Sequence, residues 1–228
     1  MYVKDHMSRN PFTVSEDTFI SKAIEIMRRN NFHRLPVVDS KNRMTGLITE
    51  GLIEEGSGSR ITSLSIYELN YLLSRTRVSD IMIKDVKTIS PDVLLEEAAQ
   101  KMLDEGVSVL PVVDDKGELV GIITEKDIFR ALTELMGYKK QGTRFIVACE
   151  DHPGVAAGLA KLFSDNDANM IALAVYHSEE RGTELVVKAT GEISVESMSK
   201  IILDAGYKLT DVVQTTMEGE VKHYPLPK

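Results

Sequence analysis

The sequence predicts an α+β protein, in which two copies of a β-α-β-β-α motif are followed by a smaller βαββαβ domain. Three observations predict this fold class. A long block of residues recurs without a gap at an offset of 75 residues, as from Met7 to Met82. Each copy of the block alternates a helical pattern with short apolar strands. The last third of the chain has a different order of strands and helices.

The repeat is clearest at two strands of each copy. The segment LPVVD at residues 35–39 returns at 110–114, and GLITE at 46–50 returns as GIITE at 121–125. A register kept over so many positions indicates two structurally equivalent copies. Each copy is too small to bury its own sheet, so we expect the two to pair as one pseudo-symmetric module.

Each copy contains a helix, two strands and a second helix. The apolar residues of the first helix recur at helical spacing, at Ile20, Ala23, Ile24 and Met27 and again at Leu95, Ala98, Ala99 and Met102. Two short strands follow, separated by a polar turn, at 35–38 and 44–48 and again at 110–113 and 119–123. Thr49 and Thr124 then cap the second helix of each copy.

The composition between the copies predicts a linker. Residues 55–59, EGSGS, read as a flexible loop, and a helical leucine pattern then runs to about Arg75. We therefore expect the first motif at 1–56, a linker helix at 57–77 and the second motif at 78–137. The βαββαβ domain is expected at 143–217, and a C-terminal tail at 218–228.

The doubled pattern resembles a pair of cystathionine-β-synthase (CBS) domains over about residues 1–135. The resemblance implies that the two motifs form a compact disc that dimerises. It also implies that adenine nucleotides bind in clefts between the copies, and that the pair itself carries no catalysis.

Only one of the two clefts is complete by this resemblance. The family holds a ligand's ribose with a G-h-h-[ST]-x-x-D stretch (h, an apolar residue), which is complete from Gly121 through Thr124 to Asp127. In the first copy Leu52 stands where the aspartate is required, and leucine cannot accept a hydrogen bond. A purely structural alternative is that Thr124 and Asp127 form a capping box at the start of a helix.

His33 and Arg34 complete the same cleft. In the family, the ribose motif of one copy faces the start of the second strand of the other copy. His33 and Arg34 there resemble the phosphate contacts of adenylate-sensing members, whereas the second copy has Ser108 and Val109. The alternative is a pair of solvated cations at a helix end. The resemblance adds residues around the base and the mouth of the cleft: Thr13, Val14, Thr18, Pro36 and Ile123.

The last third predicts a ferredoxin-like fold, with a strand at 145–149, a helix from Val155, strands at 170–176 and 184–189, a helix at 197–205 and a strand at 208–213. The turn from Asp151 to Gly154 resembles the D-x-P-G signature of ACT domains, which commonly bind amino acids at a dimer interface. Asp151, Gly154 and Asn169 are therefore candidate ligand residues. The alternative is a dimerisation module whose turn needs proline and glycine only for backbone shape.

Composition narrows the function classes. A net charge of −8 argues against nucleic-acid binding, and no apolar run approaches the roughly 20 residues of a membrane span. The single cysteine, Cys149, fits a reducing compartment, so a cytoplasmic protein is expected. Because the five histidines are dispersed, we expect no metal site, and we expect no catalytic residues.

The CBS-CBS-ACT order resembles acetoin-utilisation-type regulatory proteins. The leading hypothesis is a homodimeric regulatory protein, not an enzyme, that senses an adenine nucleotide (AMP, ADP, ATP or cyclic di-AMP) in one cleft and acts on an unidentified downstream protein. The alternatives are an amino-acid sensor that acts through the ACT-like domain, and a structural partner-binding protein whose two sites are vestigial.

Overall fold

The computed structural model describes residues 1–61 and 71–226, with side chains for 1–55 and 71–226. The chain divides into two compact units, Met1–Phe129 and Arg130–Lys228. No helix in the described part of the chain is long and apolar enough to cross a bilayer.

The first unit contains both copies of the repeat. The elements of the first copy are α1 (Val3–His6), β1 (Ser8–Arg9), α2 (Ile20–Asn30), β2 (Arg34–Val38), β3 (Met44–Thr49) and α3 (Glu50–Ile61). Those of the second copy are α4 (Val78–Ile81), α5 (Leu95–Glu105), β4 (Val109–Val113), β5 (Leu119–Thr124) and α6 (Glu125–Leu135). The division between the two units falls within α6.

Corresponding helices of the two copies bury the same positions. Helix α2 buries its residues 20, 23 and 27, and α5 buries residues 95, 98 and 102, as the apolar spacing predicts. Both helices end at a residue in the left-handed conformation, Asn31 with φ of 54° and Gly106 with φ of 63°. Asparagine and glycine are the residues that tolerate this conformation best, so the sequence itself terminates each helix.

The predicted loop at 55–59 is wrong, because α3 continues through it to Ile61. Thr49 caps the start of this helix, and Leu52 and Ile53 belong to the apolar core of the first copy. A glycine inside a helix costs about 1 kcal/mol relative to alanine, a penalty that a capped and packed first turn can offset. Most of the predicted linker helix, residues 62–70, lies outside the described residues.

The two copies exchange their first segments. Ser8 and Arg9 of the first copy pair with Ile122 and Gly121 in β5 of the second copy. The mirror pairing joins Ile83 to Leu47 in β3 of the first copy, with backbone hydrogen bonds of 2.9 Å in both directions. Each copy therefore completes the sheet of the other.

A methionine accompanies each exchanged segment. A side chain at Gly121 would run into the sulfur of Met7, and one at Gly46 would run into the sulfur of Met82. The glycine that opens GLITE and GIITE is thus required by packing between the copies. Arg43 and Glu118, which occupy equivalent positions in the two copies, form an isolated antiparallel β-bridge through their backbones. The pseudo-two-fold axis of the module therefore passes between them.

The second unit has one five-stranded sheet and two helices. Its elements are β6 (Gly142–Cys149), α7 (Val155–Asp165), β7 (Asn169–Ser178), β8 (Gly182–Thr190), α8 (Val195–Asp204), β9 (Lys208–Thr215) and β10 (Val221–His223). The strand order is β10-β9-β6-β8-β7, and every neighbouring pair is antiparallel. Strand β10 lies in the segment that the sequence assigns to a tail.

The core of the second unit lies between one face of the sheet and the two helices. Phe145 and Phe163 meet edge to face there, with ring centroids 5.5 Å apart. Apolar residues at alternate positions of β6 and β8 share this face, which explains the period of two in their sequence.

Candidate functional site

Thr124 and Asp127 are joined at the start of α6. The Thr124 backbone N–H and the Thr124 hydroxyl both donate to Asp127 Oδ2, at 2.9 Å and 2.7 Å. Asp127 is almost buried, with 9% of its surface exposed. The bond from the backbone N–H is the one that a capping residue accepts at a helix N-terminus, so the carboxylate stabilises its own helix.

The equivalent position of the first copy has a different arrangement. There the Thr49 hydroxyl accepts a hydrogen bond of 3.2 Å from the backbone N–H of Leu52. A threonine alone can therefore cap this helix, and the aspartate of the second copy adds a buried acceptor that the cap does not require.

Arg34 reaches from the first copy to the second. It is the first residue of β2, opposite Thr49, and its guanidinium donates to Ser108 Oγ at 2.6 Å. The equivalent of Arg34 in the second copy is Val109, a buried residue of β4. At this strand position a permanent positive charge is thus present in the first copy and absent from the second.

His33 has a different partner from Arg34. Its Nδ1 lies 2.6 Å from the Glu50 carboxylate, at an exposed position of the same copy. The adjacent Glu50 carboxylate makes this position less favourable for an anion than that of Arg34. The structure therefore does not bring the two side chains to a common partner.

The predicted base-contacting residues divide between surface and core. Val14 donates its backbone N–H to the carbonyl of Pro36 at 3.0 Å, which fixes the loop before α2 against β2. Thr13 and Thr18 are half-buried, and the Thr18 hydroxyl accepts from the backbone N–H of Ser15 at 3.1 Å. Ile123 is fully buried among the apolar residues of the second copy.

An exposed aromatic pair beside these residues was missed by the sequence reasoning. Phe12 and Phe32 are 54% and 39% exposed, and their ring centroids are 5.5 Å apart. They directly precede Thr13 and His33. The repeat itself carries the signal, because the equivalent positions of the second copy are Lys87 and Val107, so that only the first copy has this pair.

The candidate residues of the second unit lie at two ends of the sheet. Gly154 has a φ of +94° and begins α7, and Asp151 is exposed in the same turn after β6. Asn169 begins β7 and pairs with Thr190, at the opposite end of the sheet. Within one chain the structure therefore does not bring Asn169 to the turn.

A cavity of about 580 Å3 opens beside this turn, and its lining includes Cys149, Glu150, His152 and Lys208. Burial, with a smaller contribution from the negative charge of Asp151, raises the pKa of the Cys149 thiol. Among the side chains described, those of residues 1–55 and 71–226, no group of three or more histidine, cysteine or carboxylate side chains is arranged to hold a metal ion.

Comparison with known proteins finds a matching family model and relatives for the repeat. A family model described as the CBS domain matches residues 3–53 and 78–134. A CBS domain-containing protein of Dictyostelium discoideum is 33% identical over 134 residues, which are 59% of this chain and 92% of that protein.

Two solved structures share the fold. The structure of the Vibrio cholerae protein ascribed to acetoin utilization (AcuB) matches with a TM-score of 0.51 and 25% identity, over 61% of this chain and 96% of that one. The structure of Arabidopsis thaliana CBSX2 in complex with AMP matches with a TM-score of 0.50 and 25% identity, over 59% of this chain and 97% of that one.

Proposed function

Because this chain belongs to the CBS-domain family, we propose that it is a regulatory protein that binds an adenine nucleotide between its two CBS motifs. A single observation carries the proposal: two residues suited to ligand binding, one in each copy, have no polar equivalent in the other copy. Arg34 and Asp127 have apolar equivalents, Val109 and Leu52. The AMP complex of CBSX2, a protein of similar fold, supports the ligand class.

Arg34 is the residue that we expect to hold phosphate. Its guanidinium is permanently charged and already donates across the two copies to the Ser108 hydroxyl. A phosphate is a stronger acceptor than a neutral hydroxyl, so it would replace Ser108 or share the guanidinium fork with it. The ligand would then join the two copies, which is how its binding energy would change their equilibrium arrangement.

Asp127 is the residue that we expect to accept hydrogen bonds from the ribose. The two bonds from Thr124 fix the carboxylate in position before a ligand arrives. A preorganised acceptor loses little conformational freedom on binding. Capping and ribose recognition are therefore compatible roles of one side chain.

An arginine substitution tests the phosphate contact. Arg34→Met should weaken AMP binding by roughly ten- to a hundredfold, because a hydrogen bond to a charged group contributes about 1.5–3 kcal/mol. Arg28→Met, at the exposed end of α2, is the matched control, since it removes the same charge elsewhere. Equal affinity for AMP in both variants would mean that the cations of this segment are only solvated charges.

The exposed rings offer a stacking surface for the base. The chain contains no tryptophan, so Phe12→Trp introduces a single fluorescent reporter. We expect AMP to quench this reporter and ribose 5-phosphate to leave it unchanged, because only AMP has an aromatic base. Lys87→Trp, at the equivalent position of the second copy, is the control. The same response from both reporters would refute stacking at Phe12.

We also propose that the chain is a non-catalytic homodimer that acts on a separate downstream protein. Helix α6 exposes a stripe of large apolar side chains at Phe129, Leu132 and Leu135, each more than half exposed. Such a stripe on one helix face is typical of an interface. Light scattering should give a dimer, and Leu132→Glu should give a monomer. A monomeric parent protein at micromolar concentration would exclude this proposal.

A second candidate function is amino-acid sensing by an ACT-like second unit. The cavity beside the 150–154 turn favours it, because Glu150 and Lys208 offer both charges that a zwitterion requires. Titration of amino acids should then raise the melting temperature, and His152→Ala should reduce that rise. If no amino acid shifts the melting temperature, the unit is better described as a dimerisation module.

A further inference from the structure

A second cavity, of about 260 Å3, lies at the other end of the second unit. On the face of the sheet that meets the helices, β9, β6 and β8 end in one row formed by Gln214, Thr143 and Ala189. The next row inward is the apolar core around Phe145. The core layer between the sheet and the helices therefore ends with two polar side chains and one alanine methyl group, and not with three large apolar side chains that would fill it.

The inner wall of this cavity is apolar. Phe145, Phe163 and Met198 line it and are almost completely buried. All thirteen residues that line the cavity are uncharged. An ion that entered would lose part of its hydration without gaining a salt bridge to a lining side chain, which is unfavourable.

Thr143 and Gln214, which line the same cavity, each have a hydrogen-bonding group without a partner in the part of the chain that the structure describes. Thr143 is only 8% exposed, and no hydrogen bond joins its hydroxyl to any residue that the structure describes. The Gln214 side-chain oxygen accepts a 2.9 Å hydrogen bond from the Tyr224 hydroxyl, which leaves the amide NH2 as the donor of that side chain. An apolar interior with a few fixed polar groups is the usual composition of a small-molecule site.

We propose that this cavity binds a small uncharged molecule with an apolar body and a hydroxyl or carbonyl group. The body would pack against Ala168, Ile193 and Val195, the apolar lining residues that keep some exposed surface. Its oxygen would accept from the Gln214 amide and exchange a hydrogen bond with the Thr143 hydroxyl. The volume is below the roughly 300–1,000 Å3 of sites for drug-sized ligands, so the molecule is correspondingly small.

Methionine methyl groups provide a direct test. In the full chain labelled at the methionine methyls, Met198 reports on the cavity and Met27, in the core of the first copy, serves as the control. Met198→Leu assigns the first signal. Benzyl alcohol is the probe, and benzoate and benzylammonium are its charged analogues. We expect benzyl alcohol to shift the Met198 signal saturably and not that of Met27, and the charged analogues to bind at least about tenfold more weakly.

Two variants make the test specific. Ala189→Leu fills the cavity and should abolish the shift. Thr143→Val keeps the shape and removes only the hydroxyl, so it should weaken binding about two- to tenfold. Thr183→Val, at the other end of β8, should change nothing. If Ala189→Leu does not fold, the affinity of Thr143→Val for benzyl alcohol tests the proposal without it.

The proposal is overturned if no probe shifts Met198, which would mean that only water fills the cavity. It is also overturned if the charged analogues bind as tightly as benzyl alcohol, or if Thr143→Val binds it as tightly as the parent. The readout does not depend on nucleotide binding in the first unit.

Discussion

Replacement of Asp127 by alanine separates a structural role from a ligand-binding role. In the parent protein the Asp127 carboxylate accepts two hydrogen bonds from Thr124. In the variant the Thr124 hydroxyl can adopt the arrangement of Thr49 in the first copy, which accepts from the backbone N–H three residues later. The Thr124 backbone N–H then lacks its acceptor. The free energy of unfolding should therefore fall by about 1 kcal/mol, the usual effect of a lost cap.

The expected effect on affinity is larger. If Asp127 also accepts from the ribose, Asp127→Ala should weaken AMP binding by roughly ten- to a hundredfold. Urea unfolding and an AMP titration on the same sample measure both quantities. Asp127→Asn is the matched control for stability, because its amide oxygen still accepts from Thr124. A variant that loses about 1 kcal/mol of stability but binds AMP like the parent would refute the ribose role and leave only the cap.

Three further outcomes follow from particular contacts. Gly121→Ala should lower the free energy of unfolding by about 1–3 kcal/mol, because the new methyl group meets the sulfur of Met7 in the exchanged segment. Gly51→Ala is the control and should be neutral or stabilising, since the nearest neighbouring atom is 3.9 Å away. Equal effects of the two substitutions would contradict the exchange of segments. Hydrogen bonds from the backbone and side chain of Arg43 lower the pKa of Asp39 to about 2. The ionised Asp39 therefore contributes its full stabilisation above pH 3.8, the ordinary pKa of the group, and this stabilisation is lost as the pH falls through about 2. A carboxyl NMR titration of Asp39 with a midpoint near 3.8 would exclude the lowered pKa. Burial lowers the pKa of Lys188, so the charge of this side chain opposes folding at neutral pH. The free energy of unfolding should therefore rise as the pH increases toward 10.5, the ordinary pKa of lysine. Lys188→Met should lack that rise, and an identical pH profile in the parent and the variant would refute the role of Lys188.

The sequence predicted the elements of the repeat because their signals are local. Ala23 and Met27 in α2, and Ala98 and Met102 in α5, are buried at the positions that helical spacing indicates. The threonine at the end of β3 likewise begins α3, because capping depends on only a few neighbouring residues.

Contacts between distant residues were beyond that reasoning. The repeat shows that two copies exist, but it does not show that Ser8 and Arg9 pair with the sheet of the second copy. The separate partners of His33 and Arg34 were missed for the same reason, because Glu50 and Ser108 are distant in sequence. Residues 55–59 were misread because glycine and serine lower helix propensity without forbidding a helix that is already packed.

The number of nucleotides bound per chain tests most directly whether the pair of CBS motifs has one nucleotide-binding site or two. Isothermal titration calorimetry with AMP and GMP on the full chain measures it. Arg34 and Asp127 occur once each, with Val109 and Leu52 at the equivalent positions, so one AMP should bind per chain and GMP should bind far more weakly. Two equivalent AMP sites per chain, or equal affinity for GMP, would contradict the assignment of a single adenine-nucleotide site.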